Sequence, residues 1–355
     1  MTFGGADHLF RVFLRNYRWL IGSTIHKTPL KAILNPIKNK LNKTFPTPKA
    51  IMLAVTNKCQ ASCSHCGMAM YTNNGDNELS QKEIFSLSED AANLGVRWIY
   101  YFGGEPLLRP DLLELIRYAG DLHLKTRLDT NGYLLSEEMA KNLKRSGLDK
   151  IGVSIDDIDP ARHNALRGTP GIFEKATAGI RHCTENGIYC YLSTYVTKES
   201  LQNGGVRASI NFARSLGVNH IRLLYAVGCG NWLNTPEIRL NKKEKQKILD
   251  LMETGFVFLE EATGSGLTHG YCSSLLKRFV YISCYGDVQP CCYLPLSFGN
   301  IRSDPLIKII KRMWCHPMFN MDPNECMMNN ELFRNQYLQI LKSASELPIS
   351  ADLIL

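Results

Sequence analysis

No apolar run in this chain of 355 residues approaches the roughly 18–20 residues that span a bilayer, so no transmembrane helix is expected. No secretory signal is expected either, because the apolar stretch near the N-terminus is interrupted by Arg11, Arg15 and Arg18. There is no tandem repeat and no low-complexity tract, which argues against a solenoid or a disordered linker. Beyond residue 50 there is no net charge. Nine Lys and Arg against Asp7 alone in the first fifty residues account for the whole formal charge of +8. Nothing but that local charge supports nucleic-acid binding, and none is expected.

What is present is an ordinary globular composition, 45% apolar and 21% charged. The length suffices for one large domain and a smaller one. Twelve cysteines in a chain of this size, without a signal peptide, fit thiols and metal ligands in a reducing cytoplasm better than disulfides.

From residue 51 the pattern alternates. Short apolar runs at 51–56, 98–102, 126–130, 151–155, 189–196 and 221–225 read as strands. Between them lie helical stretches at 80–94, 110–122, 136–146, 160–166, 171–186 and 205–216. Ser80 with Glu83 three residues later forms a capping box, and Ser136 opens a helix with Glu137 and Glu138 in its first turn. Six strands alternating with helices predict a parallel sheet with helical crossovers, and such sheets bind ligands at the carboxyl ends of their strands. Residues 242–262 read as a further helix.

Chemistry concentrates at those strand ends. After the first strand comes Cys59-Gln-Ala-Ser-Cys63-Ser-His65-Cys66, a C-x3-C-x2-C loop that delivers three thiols from one short segment. A four-iron cube normally takes four thiolates, so three leave one iron open to a small molecule. Zinc is the competing reading, but it usually takes paired C-x2-C halves. Gly103-Gly104-Glu105-Pro106 ends the second strand, Thr130-Asn131-Gly132 the third, and Ser154-Ile-Asp156 the fourth. Gly103 and Gly104 lack Cβ atoms and let backbone come close to a ligand.

Together these motifs resemble the radical S-adenosylmethionine (radical SAM) enzymes, over roughly residues 51–235. The resemblance implies an α/β fold, an open partial (β/α)6 TIM-like barrel. It implies that Cys59, Cys63 and Cys66 bind a 4Fe-4S cluster whose open iron is chelated by the amine and carboxylate of SAM. Reductive cleavage would give a 5′-deoxyadenosyl radical that takes hydrogen from the substrate. It assigns Gly103, Gly104 and Glu105 to the SAM amine. Asn131, Ser154 and Asp156 are candidates for the ribose or methionyl groups, and Arg167 for the SAM carboxylate, because Arg binds carboxylates bidentately. His65 is a candidate to lean on adenine. A low-potential donor such as ferredoxin or flavodoxin would supply the electron.

A second cysteine group lies in the tail: Cys272, Cys284, Cys291, Cys292, Cys315 and Cys326, with Tyr281–Ile301 reading as a hairpin turned at Tyr285-Gly286-Asp287. With Gly286-x4-Cys291 it resembles the SPASM or twitch extensions that hold auxiliary clusters. No dense cysteine run follows, so one auxiliary cluster is expected, on Cys272, Cys291 and Cys326, with Cys292, Cys284 or Cys315 as fourth ligand. In a continuous strand Cys291 and Cys292 would point to opposite faces. Cys183, Cys190 and Cys229 show no ligand spacing and read as core or loop thiols.

The expected organisation is a basic helical extension at 1–48, a core barrel at 49–238, and a small cysteine-rich α+β domain at 239–355. Residues 6–22 pair aromatic and basic groups, which suits either contact with an anionic membrane surface or packing on the barrel. The leading function is a radical SAM enzyme acting on a peptide or a small molecule. The alternative is a non-catalytic iron–sulfur electron carrier or scaffold.

Overall fold

The computed structural model describes residues 45–71, 77–259, 272–324, 326–344 and 347–354. The expected extension helices at 6–22 and 29–42, and the membrane contact drawn from the first, lie outside these residues. Among the described residues no helix is long and apolar enough to cross a membrane.

The core is built by alternation. Strand β1 (Ala50–Thr56) leads through the cysteine loop to α1 (Gln81–Leu94). Then follow β2 (Trp98–Gly103), α2 (Leu112–Asp121), β3 (Lys125–Thr130), α3 (Glu137–Arg145) and β4 (Lys150–Ser154). Next come α4 (Pro160–Arg167), α5 (Ile172–Glu185), β5 (Tyr189–Val196), α6 (Gly205–Ser215) and β6 (His220–Tyr225). The capping box at the start of α1 forms as expected: Ser80 Oγ accepts from the Glu83 amide, and the Glu83 carboxylate accepts from the Ser80 amide.

These strands pair in parallel and in sequence order, and the sheet is larger than the six expected strands. Its order is β7-β6-β5-β4-β3-β2-β1-β8-β9. Three strands come from beyond residue 238: β7 (Val257–Leu259) extends the β6 edge, and β8 (Phe279–Ile282) pairs in parallel with β1. The hairpin partner β9 (Val288–Gln289) closes the other edge antiparallel to β8, with Gly286 in the turn. The outer strands do not pair with each other, so the barrel stays open.

The expected helix at 242–262 is a correction. Helix α7 (Lys242–Leu249) is followed by a turn, and Val257, Phe258 and Leu259 become strand. Their β-prone side chains gain a ladder with Ile221–Leu223, and this tertiary pairing outweighs local helical preference.

Side chains alternate across the sheet as strand geometry requires. Ile51, Leu53, Ile99, Tyr101, Leu128, Ile151, Leu192 and Ile221 sit in the main core. Met52, Tyr100, Arg127, Ser154, Ser193 and Arg222 point the other way and line a cavity inside the barrel. The tail adds β10 (Leu296–Ser297), α8 (Leu306–Cys315), α9 (Glu331–Ser343) and β11 (Ile349–Ser350), with β10 and β11 paired in parallel.

Candidate active site

The cysteine loop is held from several directions. The Ser62 and Ser64 amides donate to the carbonyls of Arg167 and Leu166 at the end of α4. Asn231 donates its amide to Cys66 O at 3.1 Å and its Nδ2 to Cys63 O at 2.8 Å. The Gly104 amide reaches Thr56 O and the Glu105 amide reaches Lys58 O, both at 2.8 Å. A Cβ at Gly103 would stand 2.2 Å from Thr56 O, and one at Gly104 would stand 2.3 Å from Lys58 O. Both glycines line the cavity. The closest demand for their bareness is therefore the loop's own backbone, a reason the sequence alone did not reveal.

Glu105 is fully buried and does not line the cavity. Its carboxylate accepts from Thr130 Oγ1 at 2.7 Å, the Asn131 amide at 2.9 Å and the Leu107 amide at 3.0 Å. Burial raises its pKa, against these hydrogen bonds. The carboxylate thus fastens the turn after β3 and is not presented to a ligand. That turn carries Asn131, whose Nδ2 reaches Cys59 Sγ at 3.8 Å and whose Oδ1 accepts from Gln60 at 3.0 Å.

Asp156 and Arg167 form a buried ion pair of 2.6 Å, and Arg167 Nη1 also lies 3.9 Å from Cys63 Sγ. Burial would raise the Asp156 pKa, but Arg167, then His65 and His163, hold it below the usual carboxylate range. The amide of Asp156 donates to His163 Nδ1. His65 Nε2 stands 3.4 Å from Asp156, and its ring packs against Tyr195 and Trp232 at 5.0 and 5.3 Å. Its pKa falls, chiefly from burial and further from Arg167, against the pull of Asp156. Of these predicted residues, Ser154, Arg167 and His65 line the cavity, and the Asp156 carboxylate lies behind them on Arg167. Arg167 brings its charge to Cys63 as much as to any ligand.

The tail cysteines divide. Cys272, Cys291, Cys292 and Cys326 line the same cavity of about 800 Å3 as Cys59, Cys63 and Cys66. Strand β9 stops at Gln289, so the alternation that would have separated Cys291 from Cys292 no longer applies. Cys284 lies away from the cavity with its carbonyl bonded to the Leu79 amide, and Cys315 is exposed at the end of α8. All twelve cysteines are free thiols.

A group that sequence reasoning missed sits on the inner face of β3, β5 and β6. Asp129 takes Arg127 at 2.6 Å, Arg222 at 3.1 Å and the Tyr191 hydroxyl at 2.6 Å. Burial would raise the Asp129 pKa, but Arg127 and then Arg222 hold it low. The Arg127 guanidinium also covers the Tyr100 ring at 4.1 Å. Gly152, between Asp129 and Tyr191 in register, makes this cluster fit: a Cβ there would lie 2.4 Å from Tyr191 Cζ and 2.5 Å from Asp129 Oδ1. The sequence signal was the alternation of Arg127 and Asp129 in β3, which marks a polar inner wall.

The donor chemistry fits a cluster. Burial pushes the Cys59 thiol up to about 11. The Ala61 amide opposes this, while Glu105, Cys63 and Cys66 add to it. The Cys59 and Cys63 thiols, both pushed up, would be held as thiolates by bound cationic iron. Among the described residues no three His, Cys, Asp or Glu side chains converge tightly enough for one metal ion. Thiolates on a single zinc stand about 4 Å apart, from Zn–S of about 2.3 Å. Those on a cube sit on separate irons and stand farther apart.

Fold and site define an open α/β barrel with two groups of thiols lining one cavity at its strand ends, a donor set suited to iron–sulfur clusters. The chain matches the radical SAM superfamily over residues 53–203 and the SPASM iron-sulfur cluster-binding domain over residues 272–335. It is 30% identical over 286 residues to the AdoMet-dependent heme synthase of Oleidesulfovibrio alaskensis, covering 72% of this chain and 73% of that protein. It is 29% identical to the PqqA peptide cyclase of Gluconobacter oxydans, over 78% of this chain and 80% of the cyclase. The crystal structure of Streptococcus suis SuiB bound to precursor peptide SuiA shares the fold, with a TM-score of 0.61 at 15% identity over 88% of this chain and 78% of SuiB. The chain belongs to the radical SAM superfamily and carries a C-terminal SPASM domain. It is an enzyme whose cofactors are a 4Fe-4S cluster and SAM, with an auxiliary iron–sulfur domain.

Proposed function

We propose that Cys59, Cys63 and Cys66 hold the SAM-cleaving cluster, that Cys272, Cys291 and Cys326 belong to one auxiliary cluster, and that the substrate reacts in the cavity they share. The observation that carries this reading is that both groups of three thiols line one cavity of about 800 Å3. Bound together, cluster and SAM supply one-electron cleavage of a sulfonium and the removal of a hydrogen atom from carbon.

The chain's own residues supply placement and charge. Asn131 and Arg167 put a donor beside Cys59 and Cys63 respectively, which stabilises those thiolates. Asp156 keeps Arg167 oriented, and Glu105 holds Asn131 from behind. The backbone of Gly103 and Gly104 and the hydroxyl of Ser154 are the polar groups offered to SAM from the strand ends. His65, Tyr195 and Trp232 form an aromatic wall beside the loop, suited to adenine. The core at 49–238 and the tail at 239–355 then act as one reaction chamber.

The cavity walls favour an amphipathic, carboxylate-bearing substrate. Lys58, Arg127, Arg222 and Lys245 line it against Asp129 as the one described carboxylate, while the charge of Arg167 is matched by Asp156 behind it. Met52, Tyr100, Phe102 and Phe279 form an apolar side. Heme-forming and peptide-cyclising relatives are both compatible with that chemistry. A low-potential electron donor such as ferredoxin or flavodoxin and a reducing cytoplasm suit the twelve free thiols.

Anaerobically reconstituted protein, given dithionite and SAM, is expected to release 5′-deoxyadenosine, read by chromatography. Release no higher than from protein without iron would sink the reading.

A further inference from the structure

The inner wall of the barrel is divided by polarity, strand by strand. Met52 on β1, Tyr100 and Phe102 on β2, and Phe279 on β8 line the cavity on one side. Arg127 and Asp129 on β3, Ser193 on β5 and Arg222 on β6 line it on the other. A ligand that fills both sides needs an apolar part and a charged part.

The polar side holds two guanidinium groups in fixed positions. Asp129 is shared between them: its Oδ2 accepts from Arg127 Nη2 at 2.6 Å and its Oδ1 from Arg222 Nη2 at 3.1 Å. Ser193 Oγ accepts from Arg222 Nε at 3.1 Å and from its Nη2 at 3.0 Å. Arg127 lies over the Tyr100 ring at 4.1 Å and Arg222 over the Tyr191 ring at 5.1 Å, contacts that set the planes of both groups. The two arginine side chains are only 12% and 11% exposed. They are therefore oriented before a ligand arrives, which lowers the ordering cost of binding one. Burying such a charged cluster seldom stabilises a fold more than apolar side chains would, so stability alone gives no reason for it. Arg167 differs, since Asp156 matches it one for one. Arg127 and Arg222 each stand three residues before the end of their strand, at Thr130 and Tyr225. At about 3.3 Å per residue this is about 10 Å below the rim, where Asn131 meets the cysteine loop.

We propose that Arg127 and Arg222 are the specificity-determining pair of the cavity and together anchor a carboxylate of an amphipathic substrate, with Asp129 and Ser193 as positioning residues. This rests on the reading of the cavity as the reaction chamber. The substrate then lies carboxylate-deep, its apolar part along β1, β2 and β8 and its remainder toward the cysteine loop.

The test compares two probes that share rings and chain length and differ in charge, 1-pyrenebutyrate and 1-pyrenebutanol. Equilibrium dialysis against the full chain, reconstituted anaerobically and supplied with SAM, gives both affinities. The wild type is expected to bind the butyrate about tenfold tighter than the butanol. Arg127→Gln and Arg222→Gln should each cut that preference to about twofold or less while butanol binding stays within about twofold, a split that loss of packing alone would not produce. Arg222→Lys should restore part of it, since the charge returns without the planar fork. Ser193→Ala is a milder change and answers if the glutamine variants do not fold: the preference should fall about threefold. A wild type without preference, or a preference that survives in the folded variants, overturns the anchor while 5′-deoxyadenosine release leaves the radical reading standing. A preference without any such release overturns the chamber reading instead, and with it the claim that the anchored group belongs to a substrate.

Discussion

The two cysteine groups reach one cavity by opposite routes. In the first, three thiols come from eight consecutive residues, and backbone hydrogen bonds from α4, from Gly104 and Glu105, and from Asn231 clamp that segment. In the second, Cys272, Cys291 and Cys326 come from three separate segments. The first group is a local motif that the fold only needs to hold still. The second exists only once β8 has paired with β1 and the tail has folded over the barrel. The difference teaches that spacing reports a site when the ligands share a loop, and fails when they do not.

The comparison breaks most sharply at Cys63. Cys63→Ala is expected to reduce 5′-deoxyadenosine release to background, because no other thiol of that loop can replace it, whereas Cys284→Ala should leave release unchanged. Chromatography of the same reaction mixture reads both. Equal loss in the two variants would mean that loop and tail do not differ as described.

Next in size is the clamp on the local motif. A methyl at Gly104 has to displace the backbone of Lys58, which cannot swing away as a flexible side chain can. Gly104→Ala is expected to cost about 3 kcal/mol or more, since overpacking commonly costs 1–3 kcal/mol and backbone must move here. Chemical denaturation of the protein without iron measures this. A change below about 0.5 kcal/mol would show that the loop is not held as described.

The support behind the loop should also show in pH. Burial pushes His163 down to about 4, opposed by Asp156 and helped by Arg167. Its ring nitrogen accepts from the Asp156 amide, which requires the neutral form. The folded pKa is below the unfolded value, so the unfolded chain binds the extra proton. Stability from this group is complete above the unfolded pKa of about 6.5 and is lost as pH falls toward about 4, on the order of 3 kcal/mol in all. His220, pushed down to about 3, acts with the same sign. His163→Gln should flatten the stability curve between those pH values by about one proton. An unchanged slope counts against it.

The smallest effect sharpens the contrast between ligand and filler. Cys183 on α5 and Cys190 on β5 are fully buried beside each other in the main core, and neither lines the cavity. Cys183→Ala should cost about 1 kcal/mol and leave iron content untouched. Loss of iron in that variant would show that thiol burial does not separate the two classes.

Much of the scaffold was legible because it follows periodicity. Runs such as Tyr189–Val196 alternate inner and outer faces, and Ser80 with Glu83 announces a helix start. The helix expected through 262 was misread because Val257–Leu259 gains its partner only from β6, a contact absent from the local pattern. Glu105 offered either its backbone carbonyl or its carboxylate at a strand end, and the fold spends the carboxylate on Thr130 and Asn131. Of the polar cluster only the Arg127 and Asp129 alternation was visible, because Arg222 lies 93 positions from Asp129 and shares only a sheet face with it.

Three thiols in one loop, a row of strand ends, and their order along the chain were written in the sequence, because each depends on neighbours a few residues away. Which glycine faces backbone, which carboxylate is spent on support, and which distant thiols line one cavity were decided by tertiary structure alone. Those outcomes depend on strand register and on what is buried beside what, and neither is a property of any short segment.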